Sequence, residues 1–156
     1  MQSYSQKIHI HIDRQSLELL DEKGRLVKSY PISSSSHGLG SESGSFKTPT
    51  GRFVISEKIG EGALPWAVFK ARILTGEIGS AENPEDLIQT RILWLHGLEQ
   101  ENANTHERYI YIHGTNHESR IGTPASHGCI RMLNTDVIEL FNAVALETEV
   151  QIDPTY

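Results

Sequence analysis

Strict alternation of apolar and polar residues near the start of the chain favours a fold built mainly of strands. Residues 7–12 read Lys-Ile-His-Ile-His-Ile, which places three isoleucines on one face of a strand and His9 and His11 on the other. We therefore predict a half-buried strand whose two histidines face solvent and have no functional role. The period of two continues in residues 16–20 and 25–32, so an N-terminal antiparallel meander is expected.

The rest of the chain adds further strands and one substantial helix. Apolar residues at i, i+3, i+4 and i+7 follow Asn134, a residue type that caps helices, and predict a helix near residues 135–146. Residues 83–86, Asn-Pro-Glu-Asp, predict a short helical turn. Further strands are predicted for a segment ending near Ser56 and for residues 64–74, 90–95, 109–113 and 148–152.

Two polar segments separate these elements. Residues 33–45 contain seven serines and three glycines, and residues 97–107 are rich in asparagine and glutamate, so both are predicted to be exposed, mobile rims of a cleft. Only 32 residues precede the first segment, too few for an independent domain. We therefore expect residues 1–156 to form a single, mainly β domain with one main helix.

Charge and composition exclude several classes of function. The 156 residues carry 14 Lys and Arg against 20 Asp and Glu, and the basic residues are dispersed, so the basic patch of a nucleic-acid binder is missing. No apolar run approaches the roughly 18 residues of a membrane span, and the first residues lack the pattern of a signal peptide. The sequence therefore predicts a cytoplasmic protein without a membrane partner, with a periplasmic location as the alternative if a leader was removed.

The chemistry centres on Cys129, the only cysteine, which excludes an internal disulfide and CxxC metal sites. Gly128 directly before it permits an unusual backbone conformation, and His113 ends a predicted strand upstream. A histidine that accepts the thiol proton converts a weakly ionised cysteine into a nucleophile. The backbone amides of His127, Gly128 and Cys129 are placed to form an oxyanion hole. On these residues alone, a buried inert cysteine with unrelated histidines remains the alternative.

Four further side chains are candidates for contact with a substrate: Arg131, Ser126, Tyr111 and His96. Arg131 is predicted to lie on the same side of the strand as Cys129, where its guanidinium could bind a substrate carboxylate. A salt bridge that fixes the loop is an equal alternative. The hydroxyl of Ser126 fits a turn-stabilising role as well. His96 also fits an ordinary strand position.

Metal and serine chemistry are not expected. His113 and His117 straddle the turn Gly-Thr-Asn rather than a helix, and no HExxH is present, so we predict neither a metal site nor a cofactor. A serine acyl-enzyme would need an SxxK or GxSxG motif, and the chain contains neither.

Three segments carry a specific resemblance to a known family. They read Lys-Thr-Pro-Thr-Gly-Arg-Phe at residues 47–53, Ile-His-Gly-Thr at 112–115 and Pro-Ala-Ser-His-Gly-Cys-Ile-Arg-Met at 124–132. In this order they resemble the L,D-transpeptidase catalytic domain, the YkuD-like family of cell-wall enzymes. The resemblance extends from about residue 7 to residue 152.

This resemblance implies a YkuD-like β-sandwich or barrel and an acyl-enzyme on Cys129, with His113 as the base. It also implies that the backbone carbonyl of Gly114 orients the imidazole and that His127 and Gly128 line the oxyanion hole beside the cysteine. The implied substrate is a peptidoglycan stem tetrapeptide or muropeptide, whose terminal D-Ala leaves as the thioester forms. A carbapenem is expected to acylate the same thiol.

The resemblance leaves the acceptor open. Water as acceptor gives an L,D-carboxypeptidase, and an amine gives a 3,3 crosslink. The predicted cytoplasmic location favours a carboxypeptidase that acts on muropeptides recycled from the wall. A wall-crosslinking transpeptidase is the main alternative, and a catalytically inactive module that binds wall peptides is a remote one.

Overall fold

The computed structural model describes residues 6–154 of the chain. Within that range no helix combines the length and apolar character needed to cross a bilayer. Strands β1 to β10 span Lys7–His11, Ser16–Leu20, Leu26–Ser33, Gly51–Ile59, Ala67–Lys70, Ile73–Ile78, Ile88–Gly97, Tyr111–Gly114, Ile130–Met132 and Glu149–Asp153; helix α1 spans Asn134–Ala143, and short 3-10 helices span Gln100–Asn102 and Glu118–Arg120.

Eight of these strands form a closed barrel. Their order around the ring is β4, β10, β1, β2, β3, β9, β8 and β7, and the pairing of β4 with β7 closes it. Strand β7 pairs with β8 along one edge and with two strands along the other, where residues 92–97 pair with β4 and Ile88 and Gln89 pair with β5. The β5–β6 hairpin therefore extends from the barrel beside the start of β7. The prediction of a mainly β fold with one main helix is confirmed.

One apolar cluster fills the centre of the fold and anchors the strand that leads to His113. Ile8 and Ile10 of β1 are fully buried in it, as the alternation predicts, and so are Val137 and Leu140 of α1. Helix α1 packs against β7 and β8. Burying side chains of this kind stabilises the fold by roughly 1.5–3 kcal/mol each, so the position of α1 beside β8 is well determined.

Two element predictions are wrong. Residues 64–74 form parts of two strands, β5 and β6, because Ala71 and Arg72 adopt left-handed backbone conformations with φ of 49° and 65°. Residues 83–86 form no helical turn. The side-chain oxygen of Asn83 accepts a hydrogen bond from the Glu85 amide at 3.0 Å, which gives a local turn instead.

Three predictions about exposure and capping also need correction. His11 is only 5% exposed, because its ring packs against that of His9 at 4.1 Å and hydrogen-bonds to Glu18. Asn134 is the first residue of α1 rather than its cap, and its side chain is buried. The two polar segments are not exposed throughout, since they bury the residues Ser33, Ser34, Ser35, Asn102 and Thr105.

Candidate active site

The parallel pairing of β8 with β9 brings the two predicted catalytic residues to neighbouring strands. His113 on β8 is level with Arg131 on β9, and Cys129 directly precedes β9. The Sγ of Cys129 accepts a hydrogen bond from the Tyr111 amide at 3.3 Å and donates one to the Tyr109 carbonyl at 3.4 Å. The thiol thus lies against the backbone of the strand that carries His113, and its proton must turn away from the Tyr109 carbonyl to reach the imidazole, while the Tyr111 amide can stay bonded to Sγ.

The tautomer of His113 is determined by its neighbour. The Nδ1 of His113 lies 2.6 Å from the Gly114 carbonyl oxygen, and since a carbonyl only accepts, Nδ1 carries the proton and Nε2 is free to act as a base. The position after the histidine must be glycine. A Cβ at residue 114 would lie 2.5 Å from the side-chain oxygen of Asn134 and 2.7 Å from the backbone oxygen of Gln89.

Burial keeps both reacting groups neutral in the free protein. It raises the pKa of the Cys129 thiol to about 12, with a smaller upward effect from Asp86. The Tyr111 amide and the guanidinium groups of Arg108 and Arg131 oppose this rise. Burial also lowers the pKa of His113. The resting pair is therefore a thiol and a neutral imidazole, which suits a base that removes the proton as the nucleophile attacks.

Hydrogen bonds within the cysteine loop hold it in an unusual conformation. Gly128 has φ of 129°, as the glycine before the cysteine predicts. The Ser126 hydroxyl donates to the Cys129 carbonyl at 2.7 Å and accepts from the Gly128 amide at 3.2 Å. Thr48 donates to the Gly128 carbonyl at 2.9 Å and so connects the upstream segment to the site.

These contacts limit which amides are available to a developing oxyanion. Ser126 already occupies the Gly128 amide, and the Ser126 side chain is fully buried, so its hydroxyl serves the loop in this structure. The backbone amides of His127 and Cys129 donate no hydrogen bond to any residue that the structure describes. Those two amides are the better donors to an oxyanion, and Gly128 joins them only if its bond to Ser126 opens.

Arg131 is buried and paired within the protein. It is 2% exposed, donates to Asp86 at 3.0 Å and contacts the Ser33 hydroxyl at 3.2 Å, while its Nε has no hydrogen-bond partner among the described residues. Asp86 also lies 3.8 Å from the exposed ring of His127. The geometry therefore matches the loop-fixing alternative, and contact with a substrate carboxylate stays a prediction.

Comparison with known proteins agrees with this geometry. Residues 5–152 match the family described as YkuD, the L,D-transpeptidase catalytic domain. The chain belongs to this family. A putative L,D-transpeptidase YkuD from Bacillus licheniformis is 30% identical over 148 residues, which are 95% of this chain and 66% of that protein.

Two solved structures share the YkuD fold with this chain. An L,D-transpeptidase from Xylanimonas cellulosilytica has a TM-score of 0.64 at 21% identity, over 97% of this chain and 62% of that one. L,D-transpeptidase 3 from Mycobacterium tuberculosis, solved with a faropenem-derived adduct, has a TM-score of 0.61 at 15% identity, over 96% of this chain and 60% of that one. The chain thus spans about two thirds or less of the length of these relatives.

Two cavities of this YkuD domain meet at Tyr109, whose carbonyl accepts from the thiol. The first, of about 340 Å³, reaches Cys129 between residues 43–46 and residues 107–110. The second, of about 210 Å³, lies beside the β5–β6 hairpin and is lined by Tyr111 and Arg72, whose side chains are 3.3 Å apart. His96 is the one exposed residue of the otherwise largely buried β7, and it lines neither cavity.

Sequence reasoning missed several residues that support the YkuD site. Asn134 links α1 to β7, to the segment after β8 and to the second 3-10 helix. Its Oδ1 accepts from Gln89 and Thr90 of β7, and its Nδ2 donates to the Thr115 carbonyl and to Glu118. The cap signal that singled out Asn134 carried no information about these distant partners. Asp86 and Arg108 were missed too, since each is an ordinary charged residue in the sequence.

Proposed function

We propose that this chain is a cysteine-dependent acyl-transfer enzyme that cleaves the L,D bond of peptidoglycan stem tetrapeptides. The observation that carries the proposal is the pairing of β8 with β9, which sets Cys129 beside the strand of His113, a histidine whose free nitrogen is Nε2. Membership of the L,D-transpeptidase family supports the choice of substrate. The structure of M. tuberculosis L,D-transpeptidase 3 with a faropenem-derived adduct supports β-lactams as probes of this chain.

The first half-reaction releases D-Ala. His113 Nε2 takes the thiol proton as Sγ attacks the carbonyl carbon of the L,D bond, and the carbonyl oxygen becomes an oxyanion held by the amides of His127 and Cys129. The intermediate collapses to a thioester on Cys129, and His113 returns the proton to the nitrogen of the departing D-Ala. The thiol proton therefore ends on the amino group of the released D-Ala.

The second half-reaction transfers the acyl group to an acceptor. His113 removes a proton from an amine or from water, and the attack on the thioester regenerates the Cys129 thiol. Membership of the L,D-transpeptidase family supports an amine acceptor, and the carboxylate of Glu107, which lines the larger cavity, could accept a hydrogen bond from the neutral amine. We take L,D-transpeptidation as the principal activity.

Hydrolysis by water, the L,D-carboxypeptidase reaction, is the second candidate. The larger cavity is formed by loops on one side of the thiol, and no residue of the β5–β6 hairpin lines it, so the hairpin does not screen this side from water. The sequence-based preference for a carboxypeptidase of cytoplasmic muropeptides stays a prediction.

Product analysis tests the proposal and separates the two acceptors. The protein is incubated with disaccharide tetrapeptide, and products are followed by liquid chromatography and mass spectrometry, with Cys129→Ala as the control. A 3,3-linked dimer with release of D-Ala supports transpeptidation, and tripeptide with D-Ala supports the carboxypeptidase. Release of D-Ala at the same rate by Cys129→Ala would contradict both.

A further inference from the structure

A second cluster of chemically reactive side chains lies on the barrel away from Cys129. It consists of His9 and His11 on β1, Glu18 on β2 and Asp153 on β10. The strand pairing places Glu18 opposite His9 and Asp153 opposite His11. Strands β2 and β3 separate β1 from β9, so this histidine cluster is distinct from the active site.

The side chains of the histidine cluster are close enough together to hold a metal ion. One ligand atom from each of His9, His11 and Glu18 lies within 4.8 Å of the others. The Nε2 of His9 is 2.7 Å from Asp153, and the Nε2 of His11 is 3.0 Å from Glu18. A carboxylate that accepts from the other ring nitrogen of a metal-binding histidine fixes the orientation of the ring, and Asp153 is placed to do this for His9.

His11 has a binding capacity that the surrounding protein does not use. Its side chain is 6% exposed, and its Nδ1 is buried without a hydrogen-bond partner among the described residues. A buried polar atom left without a partner destabilises a fold, and coordination of a cation by Nδ1 of His11 would supply the missing partner. The other three side chains are 24–36% exposed, so an ion reaches the cluster from solvent.

We propose that His9, His11 and Glu18 bind one Zn²⁺ ion, with Asp153 orienting His9 and solvent completing the coordination. Two imidazoles and a carboxylate are ligands that Zn²⁺ accepts, and zinc bonds of 2.0–2.2 Å place neighbouring ligand atoms about 3.3 Å apart. The three ligand atoms lie within 4.8 Å of one another, so their separations would have to shorten by at most about 1.5 Å to reach that spacing. The ion would join β1, β2 and β10, and hence the two ends of the described chain.

Calorimetric titration with ZnCl₂ tests this proposal on the full chain after treatment with EDTA and dialysis. All variants carry Cys129→Ala, which removes the thiol as a competing zinc ligand and separates this test from the proposed function. We expect one Zn²⁺ per chain. In thermal unfolding, Zn²⁺ at about 100 times its Kd should raise Tm by roughly 5–10 °C.

Two ligand variants and a matched control identify the site. His9→Gln and Glu18→Gln replace partly exposed side chains with amides of similar size, and each should weaken zinc binding by more than about tenfold. His96→Gln, an exposed strand histidine elsewhere, should bind zinc as the parent does. The proposal would be overturned if the parent did not bind Zn²⁺ stoichiometrically, or if both ligand variants bound Zn²⁺ as tightly as the parent. It would also be overturned if His96→Gln weakened zinc binding as much as the ligand variants do.

Discussion

Burial controls the protonation of both reacting residues. The pKa of Cys129 rises to about 12, and the pKa of His113 falls, because each charged form loses its hydration in the barrel wall. A thiolate–imidazolium pair, as found where a cysteine pKa is depressed, is therefore disfavoured before substrate binds. In the proposed mechanism, the nucleophile forms only when His113 accepts the thiol proton during attack.

Alkylation of the free protein by iodoacetamide tests this protonation state. Cys129 is the only thiol, so the rate reports on it alone. Because its raised pKa keeps the thiol protonated at pH 7, the thiolate fraction should be about a thousandfold below that of a free thiol with pKa near 8.5. The rate should rise about tenfold per pH unit up to about pH 11. A rate that is already at a plateau by pH 7, with N-acetylcysteine as the reference thiol, would show an ion pair instead.

Sequence motifs predict the site residues that lie within a contiguous string, but not those that act through distant partners. Cys129 and His113 belong to contiguous strings whose chemistry is specific, and Gly128 and Gly114 accompany them. Asn134 acts through partners 16 to 45 residues away in the chain, which only the folded structure brings together. No local pattern carries that information.

At the scale of elements, the upstream Lys47-Thr-Pro-Thr-Gly segment contributes to the site through one hydroxyl. Thr48 is fully buried, donates to the Gly128 carbonyl at 2.9 Å and accepts from the Ser35 amide at 3.0 Å. It therefore fixes the cysteine loop relative to the segment that follows β3. Three backbone hydrogen bonds also join Ser34 and Ser36 to residues 125–126, so the Thr48 hydroxyl adds a buried side-chain link to an existing backbone one.

Replacing Thr48 with valine should destabilise the protein and impair catalysis. The variant keeps the side-chain shape but leaves the Gly128 carbonyl and Ser35 amide buried without that partner, which costs about 2 kcal/mol or more and lowers Tm by roughly 4–8 °C. Thermal unfolding and kcat for D-Ala release measure the two effects. Thr50→Val is the matched control in the same segment, and an equal effect of both variants would contradict this role.

The alternation of apolar and polar residues predicts the ends of a strand wherever one face of that strand is buried. Strands β1, β2 and β3 and the apolar stripe of α1 were predicted within a residue or two of their ends, apart from the C-terminal end of the helix. The β5–β6 hairpin was missed because its turn uses left-handed Ala71 and Arg72, which lack the glycine or asparagine that marks such turns. Residues of β6 are also exposed throughout, so no alternation is required there.

At the scale of the whole molecule, barrel closure sets the geometry of the site. The β4–β7 pairing joins residues 33 to 44 positions apart, and β1 pairs in parallel with β10 from the far end of the chain. Composition and alternation predict a mainly β domain, but they do not encode which distant strands meet. The family resemblance supplied the barrel topology that the local patterns alone leave undetermined.

We propose that Cys129 is the covalent nucleophile of this YkuD domain. Intact-mass spectrometry after incubation with the carbapenem imipenem tests it most directly. The wild-type chain should gain the mass of one imipenem molecule, and Cys129→Ala should gain none, while His113→Gln should acylate far more slowly because it lacks the base that removes the thiol proton. The same adduct on Cys129→Ala at the wild-type rate would contradict the claim.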